Sequence, residues 1–298
     1  MKSLLKQIYR YTHSRAYRHN ENLWPYIKIK RAHQGHISEL SINRKPVAIS
    51  DISALQSKFK GDLLLLASGP SVKETDFSTL TTTPAMGVNG AISLQAGIKF
   101  NFYVVIDMTF IDQRPSLIKE IISREELYFF TTVHGVLKIV NTFGHHKIKC
   151  NICLIEDACY KIYQPSVAEH AIKEQFQESS NVMFDKNNEC IAFNKDIRAG
   201  IFDSGTVVYW ALQIIYYLGF QRVIIAGLDM NNFNQPRFYE DSNDKLPSFL
   251  ESKLDSYIIP AFSLASSIFK ENNVSVINLS KNSAVDSSIF QKLTPYDL

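Results

Sequence analysis

Short apolar segments that end in polar or glycine residues recur along the chain from Gly61 onward. They occupy residues 63–67, 85–88, 102–106, 127–133, 147–155, 223–226 and 274–279. Helical spacing occupies residues 116–126, 165–177, 204–218 and 249–270, and Pro260 should kink or split the last of these helices. Nearly continuous apolar strands that alternate with helices are typical of a parallel sheet covered on both faces. The sequence therefore predicts an α/β, Rossmann-like, mostly parallel sheet with helices on both faces.

The alternating pattern divides the chain at about residue 60. Residues 61–298 are predicted to form the Rossmann-like domain, in which residues of about 141–194 carry weak signals and are interpreted as an insertion or lid. The longest apolar stretch, residues 207–220, falls short of the roughly 18 residues that a membrane span requires. The N-terminal residues lack the apolar core of a secretory signal, so a cytosolic protein is expected.

The four cysteines are predicted to be reduced thiols, as is usual in the cytosol. They are Cys150, Cys153, Cys159 and Cys190. The first two have C-x-x-C spacing, but neither a second such pair nor a suitably spaced pair of histidines follows. A zinc site is therefore not expected.

Residues 1–60 form a basic and aromatic N-terminal arm. They contain twelve Lys or Arg and three acidic residues, a net charge of +9, whereas the whole chain carries only +3. The aromatic residues of the arm include Tyr9, Tyr11, Tyr17, Trp24 and Tyr26. Such a segment favours contact with an anionic membrane surface. A solvated arm packed on the domain is the alternative, and nucleic acid is disfavoured because no nucleic-acid-binding motif accompanies the charge.

Polar residues follow the predicted strands at the edge of the sheet where ligands bind in such folds. These residues are Ser68, Gly69, Pro70, Ser71, Asn89, Gly90, Asp107 and Asp229. Gly69 permits close approach of a ligand to the backbone. Asn89 offers a donor and an acceptor to a ribose or a base, and Asp107 offers a carboxylate to a sugar hydroxyl or a proton. Ordinary turns and helix caps are the alternative interpretation of all these positions.

A second set of candidates surrounds the predicted helix 204–218. Ser204, Gly205 and Thr206 stand at its N-terminus, where free N–H groups favour phosphate or carboxylate. Arg198 lies upstream, and the loop after the next strand contains Arg237, Tyr239 and Glu240. Arg237 can bind an anion through its guanidinium fork. A surface ion pair between Arg237 and Glu240 or Asp241 is the alternative.

Several ordered blocks of the sequence resemble a known family. They are LLLLASGPSVKETDF (63–77), MGVNGAI (86–92), FYVVIDMTFIDQR (102–114), FDSGTVVYWALQIIYYLGFQRVIIAGLDM (202–230) and RFYED (237–241). Together they are similar to the lipopolysaccharide core Kdo transferases of the type that adds a third Kdo, a 2-keto sugar acid. More distantly, the first and fourth blocks resemble bacterial sialyltransferases that use CMP-sialic acid. The resemblance covers residues of about 61–260, apart from the middle insertion.

The resemblance implies a CMP-activated 2-keto sugar acid as the donor and a sialyltransferase-like variant of the GT-A fold. It also implies roles for individual residues. Ser68, Gly69 and Ser71 fall where the sialyltransferases enclose the nucleotide phosphate, and Asn89 falls on their nucleotide-contacting Asn. Asp107 replaces an Asn near the donor sugar, Ser204 and Gly205 match a donor-contacting pair, and Tyr239 lies in the loop that supplies tyrosines to the leaving phosphate.

This sequence differs from the sialyltransferase pattern at the position of the general base. Those enzymes place a catalytic His after that loop, but residues 241–298 contain no His. Asp107 is therefore the first candidate for the base, with Glu240 and His134 behind it. The chain also contains no D-x-D motif, which metal-dependent GT-A transferases commonly use to bind a diphosphate. A monophosphate leaving group carries less charge, so neither a metal nor another cofactor is expected.

The expected function is transfer of Kdo from CMP-Kdo to a sugar hydroxyl of the lipopolysaccharide inner core, on the cytoplasmic face of the inner membrane. The alternatives are a sialyltransferase-like enzyme with another CMP-ketosugar, a pterin pyrophosphokinase-like enzyme, and a non-catalytic membrane-associated assembly factor. The missing P-loop and D-x-D motif disfavour the pyrophosphokinase. The acceptor hydroxyl, the stereochemical outcome and the oligomeric state stay open.

Overall fold

The computed structural model describes residues 2–94, 96–231 and 233–298. The α-helices are α1 (Lys2–Thr12), α2 (Met108–Gln113), α3 (Pro115–Ser123), α4 (Val133–Phe143), α5 (Ile172–Phe176), α6 (Val207–Leu218) and α7 (Ile259–Glu271). The first strands are β1 (Ile27–Arg31), β2 (Ile37–Ile42), β3 (Lys45–Val47), β4 (Asp62–Leu66), β5 (Ala85–Val88), β6 (Phe100–Val104) and β7 (Tyr128–Thr131). The others are β8 (Asn151–Leu154), β9 (Val182–Phe184), β10 (Ala192–Asn194), β11 (Arg222–Ala226), β12 (Ser275–Asn278) and β13 (Gln291–Lys292).

An eight-stranded sheet forms the centre of the molecule, in the order β13-β12-β11-β4-β5-β6-β7-β8. Every neighbouring pair in it is parallel. The inner strands are buried on both faces, which explains their continuous apolar sequences. Hydrophobic clusters cover both faces of the sheet. The predicted Rossmann-like, mostly parallel α/β fold is confirmed.

Helix α6 is buried almost all round, as its apolar sequence predicts. The Thr206 side chain caps its N-terminus by accepting a hydrogen bond from the Val208 N–H at 3.3 Å. Gly219 ends it in a left-handed conformation with φ of 97°, and a Cβ there would lie 2.8 Å from the Cα of Ser57. Gln213, buried inside the helix, satisfies its amide with the backbone of Phe202. The contacts of Thr206, Gln213 and Gly219 together fix the position of α6, whose first turn lies near the carboxyl ends of the strands.

Residues 2–47 fold into an N-terminal unit that consists of α1, a 3₁₀ turn and the antiparallel sheet β1-β2-β3. The unit packs against segments that follow β8. Arg31 donates to the buried Glu156 carboxylate at 2.8 Å, and the Tyr163 hydroxyl donates to the Ile27 carbonyl at 2.7 Å. The basic arm is therefore ordered and lies at the edge of the sheet where the strands end.

The middle region, 141–194, contributes β8 to the main sheet and also forms the short β9–β10 hairpin. The helix predicted over residues 165–177 is only the short α5, preceded by a 3₁₀ turn. Near Pro260 a π-helical turn ends and α7 begins, as the position of this proline predicts. All four cysteines are free thiols, which confirms that prediction. Within the described ranges, no helix has both the length and the apolar character needed to cross a bilayer.

Candidate active site

A cleft of about 360 Å³, with both apolar and polar residues in its lining, lies beyond the carboxyl ends of β4, β5, β6 and β11. This is the edge of the sheet at which the sequence predicts a ligand. Nine of the predicted site residues line the cleft: Ser68, Gly69, Pro70, Asn89, Asp107, Gly205, Thr206, Asp229 and Arg237. The fold therefore brings together residues that are more than 150 positions apart in the sequence.

The turn after β4 forms one wall of the cleft and is tied to the end of β11. The Asp229 carboxylate accepts hydrogen bonds from the Ser71 backbone N–H at 2.9 Å and from the Ser71 hydroxyl. Gly69 passes so close to this carboxylate that a Cβ would lie 2.4 Å from Oδ2. Ser71 and Asp229 therefore position the wall, whereas Ser68, Gly69 and Pro70 face the cleft.

Asn89 occupies the strand end next to this turn, in a left-handed conformation with φ of 47°. Its backbone carbonyl accepts a hydrogen bond from the buried Tyr103 hydroxyl at 2.7 Å, which holds the turn. Its side-chain Oδ1 is buried, and no hydrogen-bond partner for it occurs among the described residues. Because an unsatisfied buried acceptor is costly, this oxygen at the cleft wall is suited to a ligand donor.

The N-terminus of α6 forms the opposite wall. Gly205 has φ of 82°, a left-handed conformation that favours glycine. Ser204 is buried, and its Oγ likewise has no hydrogen-bond partner in the part of the chain that the structure describes. Thr206 accepts hydrogen bonds from the Val208 and Tyr209 N–H groups. The other N–H groups of this turn, the helix dipole and an unsatisfied hydroxyl are the elements of an anion site.

Arg237 lines the cleft but is committed to its own loop. Its guanidinium donates to Glu240 at 2.7 Å and to the Leu246 carbonyl at 3.2 Å. The Glu240 side chain is completely buried, so the pair organises the loop. The ion pair that was the alternative interpretation of Arg237 is therefore present. A carboxylate buried in this way is poorly placed to accept a proton from an acceptor sugar.

Tyr239 lies behind the cleft, with its ring against Gly90. A Cβ on Gly90 would lie 2.2 Å from a ring carbon, so only glycine allows this contact. The loop also reaches the turn after β4, because the Phe238 N–H donates to the Ser68 carbonyl at 3.2 Å. Burial raises the pKa of Tyr239 well above its usual range, so its hydroxyl stays protonated and is able to donate.

Asp107 lines the cleft at the start of α2 and is exposed. It caps this helix by accepting a hydrogen bond from the Thr109 N–H at 2.7 Å. Capping uses one carboxylate oxygen, which leaves the other available to a substrate. Among the base candidates it has the freest access to the cleft.

Two predicted residues lie elsewhere. Arg198 is absent from the described lining of the cleft and is instead paired with Asp196 at 2.7 Å. His134 lies on α4, beside His19 of the N-terminal unit, and burial lowers the pKa of its imidazole. Both are held by partners outside the cleft, so neither is placed to contact a ligand in it.

The lining also contains residues outside the predicted set, above all Asp203, Lys245 and Lys253. Asp203 is adjacent to the predicted helix start, but the two lysines belong to residues 245–253, which show no motif. The position of this segment at the cleft is evident only from the folded structure. Across the described residues, no group of three or more His, Cys, Asp or Glu side chains is arranged to hold a metal ion.

The parallel sheet and the cleft beyond its strand ends define an α/β protein of the Rossmann-like class. Residues 47–295 match the family described as 3-deoxy-D-manno-octulosonic acid transferase WaaZ. The chain belongs to this family and is a Kdo glycosyltransferase, where Kdo denotes 3-deoxy-D-manno-octulosonic acid. The resemblance indicated by the sequence blocks is confirmed, over a longer stretch than those blocks covered.

Two curated relatives carry the same description. A probable 3-deoxy-manno-octulosonic acid transferase of Salmonella typhimurium is 27% identical over 249 residues, covering 79% of this chain and 86% of the relative. One from Escherichia coli is 26% identical over 255 residues, covering 81% and 84%. Among solved structures, the sialyltransferase CstII from Campylobacter jejuni in complex with cytidine-5′-monophosphate is 14% identical. It covers 78% of this chain and 85% of that chain, with a TM-score of 0.44.

Proposed function

We propose that this enzyme transfers Kdo from CMP-Kdo to a sugar hydroxyl of the lipopolysaccharide inner core. The observation that carries the proposal is a pair of buried side-chain oxygens without hydrogen-bond partners among the described residues. Asn89 Oδ1 belongs to a residue of the cleft lining, and Ser204 Oγ belongs to the residue between the lining residues Asp203 and Gly205. Unsatisfied polar groups in a concave site are typical of a ligand that supplies the missing partners. A nucleotide with a sugar acid offers amino and hydroxyl donors as well as anionic oxygens.

In the proposed reaction, the bond between the anomeric carbon of Kdo and the phosphate oxygen breaks, and CMP leaves with the electron pair. The acceptor hydroxyl oxygen forms the new glycosidic bond, and its proton passes to Asp107. The N-terminus of α6 stabilises the anionic groups of the donor. Tyr239, which is protonated, donates toward the departing phosphate if the loop closes on the ligand, and Arg237 keeps that loop in position.

We also propose that the reaction needs neither a metal nor another cofactor. The leaving group is a monophosphate, whose charge the N–H groups of a helix terminus and neighbouring hydroxyls can stabilise. Turnover should therefore be unchanged by EDTA and unaffected by added Mg²⁺ or Mn²⁺. Loss of turnover in EDTA that a divalent metal restores would refute this part of the proposal.

The test of the donor begins with CMP and the intact chain. A ligand at 100 times its dissociation constant stabilises a protein by roughly 2.7 kcal/mol, which a thermal shift detects. CMP should raise the melting temperature, whereas AMP should not. A panel of CMP-Kdo, CMP-sialic acid and other CMP-ketosugars, scored for CMP release with a lipopolysaccharide acceptor, should then favour CMP-Kdo. Binding to vesicles without any nucleotide affinity would indicate a non-catalytic assembly factor instead.

A membrane-surface role for the N-terminal unit is the second part of the proposal. Leu4, Ile8 and Tyr11 are exposed and recur at helical spacing on α1, while Tyr9 between them is buried. An exposed apolar ridge on a strongly basic unit fits an anionic lipid surface by hydrophobic contact and by charge. The unit and the cleft lie at the same edge of the sheet, so docking would bring the cleft to a lipid-linked acceptor.

Vesicle sedimentation tests this role directly. Wild type should bind vesicles that contain phosphatidylglycerol and should not bind pure phosphatidylcholine. Replacing both Leu4 and Ile8 by Ser should abolish binding without changing the melting temperature, because both side chains are already exposed. Unchanged binding by this variant would show that α1 is not the docking element. The binding assay without substrates keeps this result independent of catalysis.

A further inference from the structure

Lys253 reaches the cleft from the segment between β11 and α7, which also contains Arg237 and Lys245. It ends a 3₁₀ turn, Glu251–Lys253, and lines the cleft together with Asp203 and Gly205. Its stem lies against Gly205, so that a Cβ on Gly205 would be 2.9 Å from the Lys253 Cδ and 3.7 Å from its Nζ. The ammonium group of this exposed residue therefore lies beside the first turn of α6.

The other two cations of the lining are already engaged. Arg237 is paired with the buried Glu240, and the Lys245 ammonium donates to the Phe233 carbonyl at 3.2 Å. For the Lys253 ammonium, the described part of the chain offers no ion pair or hydrogen bond. Carboxylates that line the cleft have partners too, since Asp203 accepts from the Trp210 indole at 2.8 Å. The positive charge of Lys253 is therefore not paired within the described chain and is available to an anionic ligand.

Two further features beside Lys253 favour an anion. The N-terminus of α6, a helix of 12 residues, lies in the cleft lining with Gly205, Thr206 and Val207, so its positive dipole end is at the cleft. Ser204 is only 1% exposed, and its Oγ has no partner within the described residues. The helix terminus, the Ser204 hydroxyl and the Lys253 ammonium are three different kinds of group, and each of them can stabilise an oxyanion.

From this arrangement we infer that Lys253 and the first turn of α6 form the subsite that binds an oxyanion of the sugar nucleotide. The inference rests on the proposed function, because it assigns a place to one anionic group of that donor. The oxyanion is either the phosphate or the sugar carboxylate. Gly205 is required at this subsite because a side chain there would displace the lysine stem.

The test compares three variants by calorimetric binding of cytidine, CMP and CMP-Kdo. Lys253→Met keeps most of the apolar stem and removes the charge, Lys253→Arg keeps the charge, and Lys99→Met is a matched control at a remote, exposed position. Lys253→Met should weaken CMP-Kdo binding about ten- to a hundredfold, the range for one charge-assisted hydrogen bond. Lys253→Arg should retain most of the affinity, and Lys99→Met should match wild type.

The three ligands distinguish the two oxyanions. Equal weakening of CMP and CMP-Kdo, with cytidine unchanged, assigns Lys253 to the phosphate. Weakening of CMP-Kdo alone assigns it to the sugar carboxylate. Wild-type affinity of Lys253→Met for both anionic ligands overturns the inference and leaves the proposed function intact. Failure of wild type to bind either ligand overturns the proposed function and the inference with it. Melting temperatures of all three variants verify that each is folded.

Discussion

Asp229 accepts both of the hydrogen bonds that Ser71 can donate, one from its backbone N–H at 2.9 Å and one from its hydroxyl. The two residues follow adjacent strands, β4 and β11, and their contact ties the turn after β4 to the end of β11. The Ser71 Oγ also lies 2.8 Å from the Ser280 Oγ, so the contact is part of a small network. Ser71 and Asp229 therefore contribute to the site by holding the cleft wall in position through this network.

The first prediction concerns this network. Asp229→Asn replaces one acceptor by an amide N–H, which then faces a donor of Ser71. We expect a loss of about 1–3 kcal/mol in the free energy of unfolding, because one buried donor is left without a partner. CMP affinity should fall as well, because the turn that contains Gly69 loses a hydrogen bond that holds it in position. Urea denaturation and calorimetry measure the two effects.

Ser71→Ala is the control for this prediction. It removes the hydroxyl but keeps the backbone N–H bond to Asp229, so we expect a smaller loss of stability than for Asp229→Asn. Equal CMP affinity in wild type and Asp229→Asn would contradict the view that the network positions the cleft wall.

The second prediction concerns the contact between Gly90 and Tyr239. Gly90→Ala places a methyl group within 2.4 Å of three ring atoms, so the ring and its loop must move. We expect CMP-Kdo turnover to fall at least tenfold, because displacement of reactive groups by about 1 Å is sufficient for a loss of that order. Tyr239→Ala/Gly90→Ala removes the clash together with the proposed donor, so its melting temperature, and not its turnover, is the control for the strain in Gly90→Ala. If Gly90→Ala alone retained full turnover, the position of the Tyr239 ring would have no part in catalysis.

The third prediction concerns the general base. Asp107→Asn keeps the helix cap but cannot accept a proton, so kcat should fall by about 10² to 10⁴. The dissociation constant for CMP-Kdo should change little, which calorimetry and steady-state kinetics distinguish. Asp203→Asn is the comparison, and it should cost less because Asp203 is already engaged by Trp210. A larger loss in Asp203→Asn than in Asp107→Asn would transfer the role of base to Asp203.

Much of the fold followed from the sequence because burial on both faces imposes continuous apolar strands. The strand predicted at residues 85–88 is observed at Ala85–Val88, and the others differ by a few residues. Helix α4 was missed because its apolar face continues directly from the apolar end of β7. Helix α2 is also not evident from the sequence, because it has only six residues and its one signal, Asp107, fits a site residue as well as a helix cap.

The site was only partly accessible from sequence. Strand-end residues such as Asn89 could be found because the edge of a parallel sheet gathers them. Arg198 illustrates the limit, since a charged residue near a helix start was expected to bind a ligand but satisfies its charge with Asp196, two positions away. Lys253 illustrates the opposite limit. It lies at the cleft because the long segment after β11 folds back over it. No sequence motif in that segment predicts this conformation.

The fourth prediction concerns the attachment of the N-terminal unit. Arg31→Met leaves the buried Glu156 carboxylate without its ion-pair partner, and we expect a loss of about 3–5 kcal/mol in the free energy of unfolding. Lys30→Met is the matched control, because its partner Glu39 is exposed and such pairs contribute less than about 1 kcal/mol. The double variant Arg31→Met/Glu156→Leu should recover part of the loss. Equal stabilities of Arg31→Met and Lys30→Met in urea would contradict the role of this pair.

The fifth prediction concerns the pH dependence of stability. Burial raises the pKa of Asp157 to about 7, and the negative charge of Asp203 adds to this effect. An unfolded Asp titrates near pH 4, so between about pH 4 and pH 7 the folded state binds more protons than the unfolded state. The contribution of Asp157 to stability therefore falls as pH rises through this window, by up to about 1.4 kcal/mol per pH unit.

Asp157→Asn isolates this contribution. The amide is always neutral, and its oxygen still accepts the hydrogen bond that the Cys159 N–H donates at 2.7 Å to the carboxylate. We expect the variant and wild type to have similar stability near pH 4.5 and the variant to become progressively more stable toward pH 7.5. Denaturant unfolding at several pH values measures the difference. Parallel stability profiles would mean that Asp157 titrates in the folded enzyme as it does in the unfolded chain, and that its burial exerts no net effect on the proton.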